Sequence, residues 1–527
     1  MIEGISLQNF KAFKNLPLLQ ARPITVLCGT NSSGKSSILQ SILLLKQTFE
    51  SQSPNQTMLL NGRFVHLGVF ENIVHQKDLQ QSVTFDFSFQ LSPQDVVRSR
   101  GSHSIPLNLY LENLILGPGR GIAATTEANY TLHYKVSVKS AVGDGRATEG
   151  KKAPVRPVIV DHLECRIQRR TGEEGHLVET SVGLALGPDG AYVATWSGLP
   201  NPFARRPRED QDSESQPSSG VLGELSVEVA NLFPISINLR SSKVKREEQG
   251  EVPTALVWFF RMLNDILLGI FSSYTYIGPL REEPSRRYIY EDEIVEIGIK
   301  GENAAYIYLT EQERTLPDHY VPSGNEAEPF IMKRRPRLST AVNQWLDIMD
   351  IHELKPEATN EVISLNLNAS TSPRTRVNIA DVGFGVSQIF PIIVEGLRMP
   401  KGNTLLLEQP EIHLHPNLQM QMADYFLCLA LSGKKVIVET HSDHIVNRLV
   451  RRIVEDKGQG LSKLVGMFFV RASSSGSVVE EVQINENEGV VNWPRDFFDQ
   501  TANEQERIIQ AAVRRREERR QRKQQDG

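Results

Sequence analysis

Residues 28–37 read CGTNSSGKSS. Gly29, Gly34, Lys35 and Ser36 fall at the G-x-x-x-x-G-K-[ST] spacing, directly behind the apolar run Ile24-Thr25-Val26-Leu27. A buried strand, a glycine loop and a helix in that order make a phosphate cradle, because successive backbone N–H groups and the helix N-terminus converge on an anion. Gly29 and Gly34 let the backbone come close, Lys35 neutralises the β/γ charge of a triphosphate, and the Ser36 hydroxyl can sit on Mg²⁺. Asn31 and Ser37 complete the phosphate-facing set. The plain alternative is a Gly/Ser loop that happens to precede a helix; the flanking strand and helix weigh against it.

Three further stretches carry groups able to work on a bound triphosphate. In TLLLEQPEIHLHP (404–416) the apolar Leu405–Leu407 form a buried strand whose end presents Glu408, a carboxylate placed to bind Mg²⁺ through water. In VIVETHSDH (436–444) a second buried strand ends at Thr440-His441, 33 residues after Glu408, with room for one helix between. That spacing brings His441 to the same sheet edge as a phosphate contact. In DVGFGVSQIFPII (381–393) two glycines precede Ser387-Gln388 at a helix start, which is an anion site. The bland alternatives are an edge strand ending in acids, a structural histidine and a serine N-cap.

The elements that position these groups follow from patterning. Residues 1–50 read as strand, turn, strand, loop and helix. Between about 55 and 270 the chain is β-rich, with strict alternation in SVTFDFSFQL (82–91) and YTLHYKVSV (130–138). Polar stretches at 139–154, 205–220 and 243–253 read as mobile loops. From 254 onward helices over 255–271, 338–349, about 387–397 and 416–431 alternate with strands over 362–368, 376–380, 403–410 and 434–440. This alternation marks an α/β sheet covered by helices. No heptad register persists and no period of 20–50 residues repeats.

At 527 residues, 39% hydrophobic and net charge −5, the chain has an ordinary globular composition with room for two or three cores. No apolar run approaches the ~20 residues of a membrane span, and MIEGISLQNF lacks a signal-peptide shape. Cys28, Cys165 and Cys428 are scattered, so neither a disulfide framework nor a zinc site is indicated, and a cytoplasmic location is expected. Residues 511–527 hold seven Lys/Arg against three acids, a solvated helix end or a nucleic-acid contact.

In order along the chain, Gly29–Ser36, Gly383–Gln388, Leu405–Pro416 and Thr440-His441 resemble the ATPase heads of the ATP-binding-cassette (ABC) class of AAA ATPases. Within that class the chain is similar to the branch shared by SMC, RecF-type repair and overcoming-lysogenization-defect proteins. ISLQNFKAFKN (5–15) looks like that branch's opening strand pair, and Lys11 matches the basic residue that approaches the nucleotide phosphates. The resemblance implies ATP and Mg²⁺ as cofactors, with Ser36 and Glu408 at the metal. It also implies Ser387 as a serine offered across a homodimer, or higher even oligomer, to the γ-phosphate, and His441 as the switch histidine. YIGPLREEPSRRY (276–288), IGIKGENAA (297–305) and VQINENEGVVNWPRDFFDQ (482–500) look like bacterial ABC-type ATPases ending in a domain of unknown function. Relatives of these sit beside nucleases in anti-phage defence loci, which implies a separate nuclease or other effector as partner.

The expected organisation is an α/β ABC-type head with a β-rich insertion and no coiled-coil arms. Residues 1–95 carry the loop, 96–270 the insertion, 271–345 an Arg-rich connection, 346–471 the second half of the head and 472–527 a C-terminal element with a basic tail. Gln409 stands where most relatives carry the glutamate that activates water. An amide cannot accept the proton, so it is no general base, though it can orient water. Slow hydrolysis is therefore expected, with Glu411 as a substitute base. After His441 only 86 residues follow, with no D-x-D cluster, so no nuclease of its own is expected. Smaller candidates are His413 and His415, at metal-like spacing in a strand-to-helix loop, and the basic, aromatic patch of Arg281, Arg286, Arg287, Tyr276, Tyr288 and Tyr290. Trp493, Phe497 and Phe498 are expected to staple the C-terminal element.

Overall fold

The computed structural model describes residues 2–53, 56–91, 96–98, 104–106, 128–141, 157–171, 177–200, 217–240, 251–289, 296–325, 328–359, 362–369, 372–492, 494 and 500–525. A six-stranded sheet lies at its centre, in the order Tyr274–Ile277, Thr404–Glu408, Lys435–Glu439, Ile24–Gly29, Val465–Arg471 and Val478–Val482. The first five strands run parallel and the last pairs antiparallel with its neighbour. Parallel neighbours need crossover connections, and this sheet joins strands from both ends of the chain. Alternation along each strand then divides its side chains between two cores. Leu406, Ile437, Phe468 and Val470 face one, while Leu405, Leu407, Val436, Val438 and Phe469 face the other.

On the first face lies the helix Lys35–Glu50, buried along nearly its whole length, with the polar Ser41, Lys46, Gln47 and Thr48 buried beside its apolar residues. Against it packs the helix Glu251–Ser272. An antiparallel nine-stranded sheet shares the same core. Its order is Phe233–Leu239, Pro217–Ala230, Tyr192–Pro200, Leu177–Leu186, Val158–Thr171, Ala128–Ser140, Val83–Leu91, Ile2–Phe10 and Phe13–Gln20. The β-rich residues between 96 and 270 thus extend the sheet begun by the first strands of the chain. Phe85, Phe87 and Phe89 point inward from Val83–Leu91, and Thr84 on the opposite side shares a hydrogen bond with Ser137 at 2.8 Å. On the second face of the parallel sheet sit the helices Leu338–Ile348, Phe384–Arg398, Pro416–Leu431 and Asp443–Val454.

The α/β architecture is the one expected. Most of the three polar stretches lies outside the described residues, and their described ends are ordered. Residues 217–220 belong to a strand rather than a loop. Gly220 there passes over Trp196 so closely that a Cβ would lie 2.3 Å from the indole, which is why a glycine reads as loop but sits in a ladder. Trp493, Phe497, Phe498 and Tyr290 lie outside the described residues. The helix Gln500–Gln525 carries exposed Arg514, Arg515 and Arg516. Among the described residues no helix is long and apolar enough to cross a membrane.

Candidate functional site

The strand Ile24–Gly29 ends where the loop begins, and two glycines shape the turn into the helix. Gly29 has φ 137° and a Cβ on it would lie 2.0 Å from the Val470 carbonyl oxygen; Gly34 has φ 99° and a Cβ on it would meet Ala12 at 2.8 Å. Neither position accepts a side chain. Gly34 also caps the helix without a side-chain bond, leaving first-turn N–H groups for an anion. Lys35 is buried and folds back on its own loop, donating to Gly29 O at 3.0 Å and Thr30 O at 2.6 Å. Burial lowers its pKa, opposed chiefly by Glu439. Asn31 is exposed in the loop, Ser37 is buried, and the fully buried Ser33 hydroxyl has no hydrogen-bond partner.

Two acids arrive on neighbouring parallel strands, in register: Glu408 pairs with Glu439. Ser36 Oγ donates to Glu439 Oε1 at 2.9 Å. Glu439 is 3% exposed, its Oε2 is unpartnered, and burial with Glu408 nearby pushes its pKa up to about 7. Tyr276 Oη donates to Glu408 Oε1 at 3.0 Å. A third acid, Glu411, accepts the His441 backbone N–H at 2.6 Å through Oε1 and leaves Oε2 buried and unpartnered. Burial raises the pKa of both Glu408 and Glu411. His441 is half-buried, and burial followed by the Lys35 charge lowers its pKa, favouring the neutral ring.

Arg281 locks the turn after Glu408. Its guanidinium donates to Glu408 O at 2.9 Å and to Gln409 O at 3.0 Å, is 5% exposed, and leaves Nε unpartnered. Burial pulls its pKa down to about 10. The clamp holds Gln409 at φ 44°, with its N–H on Glu439 O at 2.7 Å. Lys11 also sits at positive φ, 50°, in the turn between the first two strands. Its Nζ bonds Gln40, and Glu408 is the acid that opposes the burial-driven fall of its pKa.

The structure therefore brings Lys11, Lys35, Ser36, Glu408, Gln409 and His441 to one end of the parallel sheet. Ser387 is not among them. The helix begins at Phe384, one turn earlier than expected, so Ser387 lies inside it, 8% exposed, with Oγ donating to Phe384 O at 2.7 Å. It lines a pocket with Glu282, Tyr288, Glu302 and Phe390, none of which comes from the loop. Of the basic, aromatic patch, Arg281 and Tyr276 are interior parts of the site, while Arg286 makes an exposed pair with Asp381. His415 caps the helix Pro416–Leu431 and His413 stacks edge-on against Phe384, centroids 4.9 Å apart, which fits a loop role. Among the described residues no group of three or more His, Cys, Asp or Glu is arranged for a metal. Sequence reasoning missed Glu439, whose readable signal was a lone acid closing the apolar run Val436-Ile437-Val438.

The family model described as AAA ATPase domain matches residues 1–152 and 325–446, just over half of the chain and all of these site residues outside 276–281. A second, described as a protein of unknown function (DUF3696), matches 462–508. No curated protein matches. Among solved structures, an SMC head domain from Thermotoga maritima is 8% identical with TM-score 0.32, over 92% of this chain and 99% of that one. An SMC head bound to the C-terminal winged-helix domain of ScpA is 8% identical with TM-score 0.34, over 92% and 98%.

Proposed function

This chain belongs to the AAA ATPase domain family, and from that premise we propose that it is an ABC-type member of the SMC and RecF branch that binds ATP with Mg²⁺, hydrolyses it slowly, and uses the bound state to pair with a second copy. The observation that carries this reading is the convergence of a buried lysine, a serine, the buried Glu439 and the half-buried Glu408 and Glu411 on one glycine loop at the carboxyl ends of parallel strands, where open α/β sheets bind ligands. Ser33 Oγ, Glu439 Oε2, Glu411 Oε2 and Arg281 Nε are buried there without partners. Such groups are costly unless something binds them.

Lys35 is held by two carbonyl oxygens of its own loop, and a triphosphate offers it charged oxygens instead. The site's hard oxygen donors, Ser36 Oγ and carboxylates at the strand ends, fit Mg²⁺, which prefers few protein ligands and keeps water. Ser36 and the strand-end carboxylates would hold the ion, which would supply positive charge against the phosphate oxygens. Gln409, whose backbone is fixed by Arg281, orients water without accepting its proton, and Glu411, two residues further along the same turn, is the carboxylate offered to take it. His441, neutral, can hydrogen-bond a phosphate oxygen. For Ser387 to meet a partner copy's γ-phosphate, its hydroxyl must first leave Phe384 O.

The resemblance to defence-locus ATPases supports a nuclease or other effector as the regulated partner. Gln409 also supports a second reading, a non-hydrolysing ATP clamp. Steady-state ATPase assays with light scattering separate them: slow turnover with mass doubling in ATP·Mg²⁺, both lost in Lys35→Ala, supports the first reading. Doubling without turnover supports the clamp, and neither response contradicts both.

A further inference from the structure

Lys11 stands at φ 50° in the turn between the first two strands, and Asn9, two residues earlier, at φ 55°. Left-handed backbone is unfavourable for a residue with a side chain and persists only where the surroundings hold it. The hold on Lys11 comes from two other parts of the chain. Its N–H donates to Ile73 O at 2.8 Å, and His75 Nδ1 donates to Lys11 O at 2.9 Å. From the other side the Ser477 N–H donates to Ala12 O at 2.8 Å. Ser477 closes the turn between the strands Val465–Arg471 and Val478–Val482. We propose that His75 and the turn Gly476-Ser477 are positioning residues for ATP, fixing the Lys11 backbone so that its ammonium group is delivered to the triphosphate. This rests on the ATP reading above and adds to it two segments that no sequence motif marks.

Three observations carry the assignment. A carbonyl oxygen can only accept, so Nδ1 of His75 is the donor. Among the described residues that is the ring's one hydrogen bond, and Nε2 is buried without a partner. Second, Gly476 has φ 119°, and a Cβ on it would lie 3.2 Å from each of Ala12 O, His75 Cε1 and Lys14 N. Both holding segments and the lysine turn therefore meet at one glycine, where a side chain would force them apart. Third, the turn is pressed against the phosphate loop: a Cβ on Gly34 would lie 2.8 Å from Ala12 Cβ and 3.1 Å from Ser477 Oγ. Lys11 Nζ rests on Gln40, in the helix that follows the loop. A triphosphate offers that group charged oxygens in place of a neutral amide. The setting of the turn against Gly34 then decides whether Lys11 reaches them. His75 acts through Lys11 and not on the nucleotide itself.

A double-mutant cycle on ATP·Mg²⁺ affinity in the full chain tests this. His75→Ala should weaken ATP binding about tenfold, the loss expected when one hydrogen bond no longer aims a charged group. His75→Asn, whose Nδ2 can take the place of Nδ1, should restore affinity to within about threefold of the parent. Lys11→Ala should cost about tenfold or more. In the Lys11→Ala background, His75→Ala should cost less than about twofold further, since no ammonium group is left to aim, whereas independent effects would multiply. Gly476→Ala, which forces the turn to shift, should show the same dependence on Lys11. Urea unfolding of each variant gives the folded fraction, so that affinity is read per folded chain. Losses that multiply, no loss in His75→Ala, or no rescue by His75→Asn overturns the positioning role. A parent chain that binds no ATP overturns the underlying ATP reading instead.

Discussion

In the nine-stranded sheet, the strands from Ala128–Ser140 through Phe233–Leu239 each pair with the next in sequence, and the hairpins close on an aromatic core. In the six-stranded sheet the five parallel strands begin at residues 24, 274, 404, 435 and 465, and the glycine loop lies at their carboxyl ends. The first sheet buries rings: Phe271 touches Phe49, Phe87, Phe89 and Tyr274 with centroids 5.2–6.5 Å apart. The second gathers acids, with desolvation raising the pKa of Glu408, Glu411 and the buried Glu439. Local antiparallel pairing builds a platform, and parallel pairing of distant segments gathers groups that chemistry needs together.

That division can be broken by substitution. Phe271→Ala, in the aromatic core, should cost about 3–5 kcal/mol of stability while leaving ATP affinity per folded chain unchanged; urea unfolding and a binding titration read the two separately. Loss of ATP affinity with full stability would contradict the division. Lys35→Ala should do the reverse, weakening ATP binding at least ~100-fold, about 2.7 kcal/mol, with stability changed by less than about 1 kcal/mol.

A buried base away from the loop sharpens the contrast. His319, in the strand His319–Pro322, has its pKa pulled down to about 4 by burial and then by the Lys434 charge. The folded state keeps this ring neutral where the unfolded chain protonates it. As pH falls from about 6.5 towards 4 the unfolded state binds the extra proton, so stability falls through that window. From pH 7 to pH 4.5 this one residue should remove about 2 kcal/mol. His319→Leu should flatten that part of the Tm profile, and an unchanged profile would contradict the assignment. The smallest effect is expected at Gln409→Glu, which supplies a general base and should raise turnover ~10-fold, about 1.4 kcal/mol of barrier, with ATP affinity unaltered. No gain in turnover would count against Gln409 as the water-facing residue.

The loop was legible because a phosphate cradle needs contiguous residues, and Glu408 and His441 because one ends an apolar strand and the other stands two residues past the end of one. Glu439 was not, since its partner Ser36 lies 403 residues away in sequence and only the strand order brings them together. Arg281 read as one member of a basic, aromatic patch because nothing local distinguishes an arginine that binds two backbone carbonyls from one that meets water. The helix bearing Ser387 began early because only the first of its two glycines caps it. Gly385 is helical and lies where a Cβ would come within 3.3 Å of His413 O, a packing reason that a turn-based reading cannot see.

The most direct test of the claim that the parallel strand ends hold the nucleotide is amide hydrogen exchange of the full chain with and without ATP·Mg²⁺. Peptides covering 28–37, 408–413 and 439–443 should gain protection, and peptides from 128–140 and 217–239 should not change. Protection centred on the antiparallel strands, or none at the three strand-end segments while ATP is bound, would contradict the account.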